Sequence, residues 1–433
     1  MTRKAEGFTI LLASALAAFG VTLVNFANSG TLDAQSALTF LVFAIAFGAL
    51  FVATQTWAPR ASSLLIAPVA ALTAIGFLEI YRLDPARAGL QRWWLLIAAA
   101  VAGSVLYLLH LGSTEILRRY RYTILLVSVI LLLLPNLPSD WGFPLRGLEV
   151  NGSRLWVVFD AGLTPFSLQF QPAELAKLGL VIFVAAYLAD HQHALRQAHR
   201  QVGPFRLPEP RQLLPLLITW GLSVFILISQ RDLGASLLLF ASFVLLLYAA
   251  TGGGGYLVSG GLMTLLAGFA GYYAFDHVQR RVAGWLQPFE NFEDAGYQIS
   301  QGLFALGSGS LSGAGPGLGR PDLIPNAATD FIFAAVGEEL GFAGTVAVLA
   351  LYGLIMAVGL GIAFRSRDTF RKLLAAGLTF VLGVQTFLII GGVLRLVPLT
   401  GITLPFMSYG GSALVGNLVL VAILLRISHE EAK

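Results

Sequence analysis

Cysteine is absent from the 433 residues. That excludes disulfides, zinc–thiolate centres and a cysteine nucleophile. Charge is scarce as well. Asp, Glu, Lys and Arg make up 12% of the chain against 57% hydrophobic residues, and the mean hydropathy is +0.78. Typical soluble domains carry about 25% charged residues, so a water-soluble fold of this length is excluded. Only six histidines occur, and His191, His193 and His199 share one polar stretch. His191 and His193 are two residues apart, whereas helical metal ligands prefer three or four, so this stretch reads as a solvated basic loop. The net charge of +4 makes no case for nucleic acid. In a membrane protein basic residues mainly set orientation.

What is present is a series of apolar runs of about twenty residues, the length a helix needs to cross a bilayer. The sequence predicts an all-α polytopic membrane protein of about twelve transmembrane helices, at 8–28, 37–57, 61–80, 93–112, 122–136, 172–189, 212–230, 233–250, 256–275, 331–360, 373–396 and 405–426. Met-Thr-Arg-Lys followed by an apolar run from Phe8 reads as a first span, not a removed signal peptide. Basic residues favour both termini in the cytoplasm. The bias is clearest in the short loops holding Arg118, Arg119 and Arg121, and Arg365, Arg367, Arg371 and Lys372. It is weakest at 81–92, an outer loop carrying Arg82, Arg87 and Arg92. Arg92 beside Trp93 can meet a lipid headgroup, although plain interfacial anchoring explains the paired tryptophans. Residues 1–57 form two spans with no visible chemistry.

The functional signals gather on the predicted outer side. Residues 276–330 form a large extracytoplasmic loop between the ninth and tenth spans, and it ends in Thr329-Asp330 where an apolar run begins. Asp330 suits a helix N-cap, but a carboxylate at the edge of the hydrocarbon also implies a cavity or a partner. Glu338 and Glu339 follow within the span. Residues 306–319 are glycine-rich, a composition that lets backbone N–H groups approach an anion or simply links two segments flexibly. Gln171-Pro-Ala-Glu174-Leu-Ala-Lys177 opens another span, with Glu174 and Lys177 on one face, where they can neutralise each other. Ser229-Gln-Arg-Asp232 occupies a tight outer hairpin in which Arg231 and Asp232 can pair. Residues 137–171, with aromatic and polar residues alternating around Asn151–Trp156 and Phe166–Gln171, read as a segment lying in the interface. Leu394–Ser412 interrupts the last two spans with prolines and glycines, as cavity-lining broken helices do. Arg395 is placed within a span, where a cation needs Glu338, Glu339 or a bound phosphate. Glu174, Lys177, Asp232, Arg281, Asp330 and Arg395 all map to one face, which points to a shared polar cavity opening outward.

Gln171-Pro-Ala-Glu-Leu-Ala-Lys177, Asp232-Leu-Gly234, Gly296-Tyr-Gln298, Gly307-Ser-Gly309, Thr329-Asp-Phe-Ile-Phe-Ala334, Glu338-Glu-Leu-Gly341 and Leu404-Pro-Phe-Met-Ser408-Tyr-Gly-Gly-Ser412 together resemble the motifs of the SEDS (RodA/FtsW) proteins. The resemblance implies a ten-helix core over 58–433, with 1–57 as two extra N-terminal helices. It implies a peptidoglycan glycosyltransferase that polymerises lipid II at the outer face of the bacterial cytoplasmic membrane, in elongation or division. It also implies a class B penicillin-binding protein as crosslinking partner. The family's essential acidic residue maps onto Asp330, its Glu and Lys onto Glu174 and Lys177, and its other outer Asp onto Asp232. Gln298 and Ser408 join Arg281 and Arg395 as candidates for binding substrate or stabilising charge. A divalent cation (Mg or Mn) held by Asp330, Glu174 or Asp232 is a further expectation.

For such a reaction a carboxylate must take the proton of a sugar 4-hydroxyl, a contribution of about 10²–10⁴-fold. Asp330 is the expected base. A diphosphate leaves without help from a second carboxylic acid, unlike the leaving group of ordinary glycosidases, but its developing charge needs stabilising. The rival classes are a flippase or ion-coupled carrier, disfavoured by the lack of an internal repeat, and a non-catalytic scaffold.

Overall fold

The computed structural model describes residues 2–30, 34–138, 144–150, 153–160, 168–197, 199–202, 205–208 and 210–432. All twelve predicted spans contain helix. They are α1 (Arg3–Ser29), α2 (Gln35–Trp57), α3 (Ile66–Leu83), α4 (Pro85–Gly112), α6 (Arg121–Leu133), α7 (Ala173–Gln197), α8 (Pro210–Ser229), α9 (Leu233–Thr251), α10 (Gly255–Ala274), α13 (Ile332–Arg365), α14 (Thr369–Val393) and α15 (Gly411–Glu431). Three shorter helices complete the set: α5 (Glu115–Arg119), α11 (Asp276–Leu286) and α12 (Tyr297–Ser308). Among the described residues nine helices are long and apolar enough to cross a membrane, with shorter apolar helices at Arg121–Asn136 and Leu217–Ser229. The exposed side chains of α10, including Leu262, Leu265, Leu266 and Phe269, are what a helix surrounded by lipid presents.

The structure corrects several boundaries. Residues 85–92 begin α4 instead of continuing a loop, because Pro85 suits a first helical turn and Asp84 Oδ1 accepts from the N–H groups of Ala86 and Arg87. Among its described residues, the segment 137–171 holds regular structure. It forms an antiparallel sheet ordered β1 (Leu145–Val150), β2 (Ser153–Phe159), β3 (Leu168–Phe170), in which alternation of aromatic and polar residues serves the two-residue period of strands. Asn151, Gly152, Phe166 and Ser167 lie outside the described residues. The loop after α7 contains a small hairpin, β4 (His199–Val202) paired with β5 (Phe205–Pro208). His191 Nδ1 lies 2.9 Å from the Tyr187 carbonyl, while the side chains of His193 and His199 lie outside the described residues.

The chain divides into two compact units. The first comprises 1–110, 267–358 and 385–433, and the second 111–266 and 359–384. In the first, α15 is buried continuously from Gly411 to Ile427, as a helix apolar on all sides should be. Gly76 of α3 meets the turn before α15 so closely that a Cβ there would lie 2.3 Å from the Met407 carbonyl oxygen. In the second, Leu132, Ala176, Leu180, Ile226, Leu227 and Leu239 form a core among α6, α7, α8 and α9.

Candidate active site

In the first unit the residues around Asp330 are held from two sides. The Ser408 hydroxyl donates to the Thr329 carbonyl at 2.5 Å and accepts from the Leu404 N–H at 2.9 Å. The Tyr409 N–H donates to the Ala328 carbonyl at 2.8 Å. This turn is tight enough to leave Phe406 at φ +67, a conformation costly for a bulky residue and one that persists only when the surroundings over-determine it. On the other side Gln298 of α12 donates to the Pro325 carbonyl at 2.9 Å. Ser408 and Gln298 therefore position the backbone that carries Asp330.

Asp330 itself is half-buried, one residue before the buried Phe331 and Ile332. Desolvation pushes its carboxyl up to about 6, opposed by the Arg281 charge and by a hydrogen bond with Thr329. Gly401 lies between Asp330 and Arg281. A Cβ built on it would stand 3.9 Å from Asp330 Oδ2 and 3.6 Å from an Arg281 guanidinium nitrogen, with nothing else within 4 Å. Gly401 sits at φ +73, a backbone conformation that favours glycine. Arg281, on α11, also donates to the Thr400 carbonyl at 3.2 Å. The arrangement is a carboxylate whose pKa burial pushes up to about 6, with a guanidinium on the other side of a glycine. It suits a base that must accept a proton while an anion is held nearby.

Arg395 does not lie in a span and does not partner Glu338 or Glu339. It follows the end of α14, is exposed, and has φ +60. Its guanidinium donates to the carbonyls of Trp285 at 2.7 Å and Leu286 at 2.5 Å, and Trp285 Nε1 donates back to the Arg395 carbonyl at 3.1 Å. A cation that caps the carbonyl end of α11 does not need a buried carboxylate.

Glu338 and Glu339 have other partners. Arg82 Nε lies 3.2 Å from Glu339 Oε1, the Gly317 N–H donates to Glu339 Oε2 at 2.8 Å, and the Arg320 N–H donates to Glu338 Oε1 at 2.8 Å. The glycine-rich stretch is thus ordered against α13, and these amides bind the protein's own carboxylates. Its glycines permit the approach, since a Cβ at Gly313 would lie 2.2 Å from the Glu339 carbonyl oxygen and one at Gly309 would lie 1.9 Å from that of Gly337. The approach coincides with a kink at Gly341, φ +68.

The sequence reading missed Glu79, a fully buried carboxylate on α3 with no hydrogen-bond partner on either oxygen. A lone acid in an apolar run with Arg82 three residues on was the available signal, the same spacing that drew attention to Glu174 and Lys177. Arg92 is buried, donates to Gln35 Oε1 at 2.6 Å and lies over the Phe77 and Tyr81 rings, so it is not at a lipid headgroup.

Glu174, Lys177 and Asp232 belong to the second unit. Lys177 Nζ and Glu174 Oε2 form a buried ion pair at 2.5 Å. Asp232 caps α9, its Oδ1 accepting from the Ala235 N–H at 2.9 Å. In the same hairpin Gln230 donates to the Leu132 carbonyl at 2.6 Å and Arg231 turns the chain at φ +62. The three candidate metal carboxylates therefore already face Arg281, Lys177 and a backbone amide, and no group of three His, Asp or Glu among the described residues can hold a metal ion.

A family model described as cell cycle protein, of the FtsW/RodA/SpoVE type, matches residues 63–433. The peptidoglycan glycosyltransferase RodA of Mycobacterium bovis is 39% identical over 439 residues, covering 99% of this chain and 91% of its own. A probable peptidoglycan glycosyltransferase FtsW of Geobacter metallireducens is 34% identical over 313 residues, covering 72% and 77%. A chain of a solved peptidoglycan synthase complex, in which polymerization and crosslinking are coordinated, aligns with a TM-score of 0.66 at 27% identity, covering 86% of this chain and 98% of that one. The crystal structure of Thermus thermophilus RodA aligns at 0.57 with 26% identity, again covering 86% and 98%.

Proposed function

The chain belongs to the FtsW/RodA/SpoVE family, and from that premise we propose that it is a peptidoglycan glycosyltransferase that polymerises lipid II. The observation that carries the site assignment is Asp330, half-buried, its carboxyl pushed up to about 6 by burial, with Arg281 across Gly401. The acceptor's sugar 4-hydroxyl gives its proton to Asp330 as its oxygen attacks the anomeric carbon of the polyprenyl-diphosphate-linked donor. The diphosphate departs with the bonding pair, and Arg281 meets its charge. One base and one displacement invert the anomeric centre. Ionised Asp330 is the competent form, so activity rises through pH about 6.

The active face is extracytoplasmic and both termini are cytoplasmic, a reading supported by the basic residues of the short loops. The chain works with a class B penicillin-binding protein, supported by its likeness to a chain of a synthase complex. Glu174, Lys177 and Asp232 enter this proposal through their place in the family motifs.

Purified protein with lipid II decides the reading. Glycan polymer is the expected product. Lipid translocation without polymer supports a flippase, and neither outcome leaves a scaffold.

A further inference from the structure

Residues 1–57 precede the region matched by the family model, which begins at 63, yet they are joined to the structure that holds Asp330. Tyr81 Oη on α3 donates to Asn25 Oδ1 on α1 at 2.9 Å, and Arg92 on α4 donates to Gln35 on α2 at 2.6 Å. Gly20 lets α1 close onto α3, since a Cβ there would stand 2.7 Å from Leu78 Cδ1. Arg3 donates to the carbonyls of Pro59 at 2.8 Å and Ala61 at 2.7 Å, fixing the other end of the pair. The last turns of α1 also reach the glycine-rich stretch. A Cβ on Gly317, which sits at φ +81, would lie 3.2 Å from Ala27 Cβ and 3.4 Å from Val24 Cα.

Gly317 is the residue whose N–H holds Glu339. Arg82, next to Tyr81 on α3, holds the same carboxylate and donates to the Gly319 carbonyl at 3.0 Å. Three residues beyond Gly317, the Arg320 N–H is bonded to Glu338. That bond closes the segment 320–338, and Asp330 lies near its middle.

We propose that the α1–α2 pair is a positioning brace for the glycosyltransferase reaction. It presses on Gly317 and grips α3 so that the Glu338–Glu339 clasp keeps the segment bearing Asp330 in its productive place. The proposal rests on the glycosyltransferase reading. A brace that only shielded α3 from lipid would affect folding and leave turnover per folded molecule untouched. A positioning brace acts on kcat with KM held, because small misplacement of a reacting group costs rate steeply.

The test uses the full-length chain. Asn25→Leu with Gln35→Leu cuts the two polar ties. It should lower kcat about tenfold with KM unchanged. Should that variant not fold, Tyr81→Phe removes one tie and is expected to lower kcat about threefold. A tie-cut folded variant with wild-type kcat, or a change confined to KM, overturns the brace. Wild-type protein that makes no polymer from lipid II overturns the glycosyltransferase reading instead.

Discussion

Two acidic regions lie within ten residues of each other and have opposite chemistry. At the mouth of α13 the Asp330 carboxyl lies across Gly401 from Arg281, and burial pushes it up to about 6. Just inside, Glu338 and Glu339 are engaged by Arg82 and by the N–H groups of Gly317 and Arg320. The first is positioned through its backbone, and its carboxyl meets Thr329 and the charge of Arg281. The second uses its oxygens as structural acceptors. Nearby carboxylates in one helix mouth therefore say nothing about role until each oxygen's partners are known.

The comparison is broken most sharply at Asp330. Asp330→Asn removes the proposed base and keeps the shape. Polymerisation of lipid II is expected to fall by about 10²–10⁴-fold with an unchanged unfolding midpoint, and activity at the wild-type level would move the base elsewhere. Arg281→Met should follow with a loss of about 10²-fold. It also has a direction in pH. Arg281 holds the Asp330 carboxyl down, so its removal should shift the acid limb of the rate profile above its wild-type position near 6. An acid limb that stays at its wild-type position would show that the two do not interact.

Glu339→Gln tests the second region. Leaving Arg82 without its anion should destabilise the fold by about 3 kcal/mol, measured as a lower unfolding midpoint, while activity per folded molecule falls less than in Asp330→Asn. The smallest expected effect is at Asp232. Asp232→Asn keeps a capping side chain and should change stability little, whereas Asp232→Ala should cost about 1 kcal/mol. An inactive but stable Asp232→Asn protein would show that this aspartate does more than cap α9.

Much of this was legible in the sequence. Every predicted span contains helix, because about twenty apolar residues in a bilayer have few alternatives. Asp330 stood out because a carboxylate directly before a long apolar run is conspicuous. The Glu174–Lys177 pair followed from helical spacing and is present at 2.5 Å. Arg395 was misplaced because hydropathy carries the last residues of a span past its true end. Its partners, the carbonyls of Trp285 and Leu286, are about 110 residues away in sequence. Gly401 was only one glycine among many until the fold set it between Arg281 and Asp330.

The sequence alone determined that this is a polytopic helical membrane protein of a recognisable family with a carboxylate at the mouth of one span. Those features depend on composition and on spacing within a single helix, which are local. Only the tertiary structure decided that Glu338 and Glu339 bind the glycine-rich amides, that Arg395 caps a helix, and that the first two helices reach Gly317. Each of these depends on which distant residues come within hydrogen-bond or van der Waals distance, and no local period in the chain encodes that.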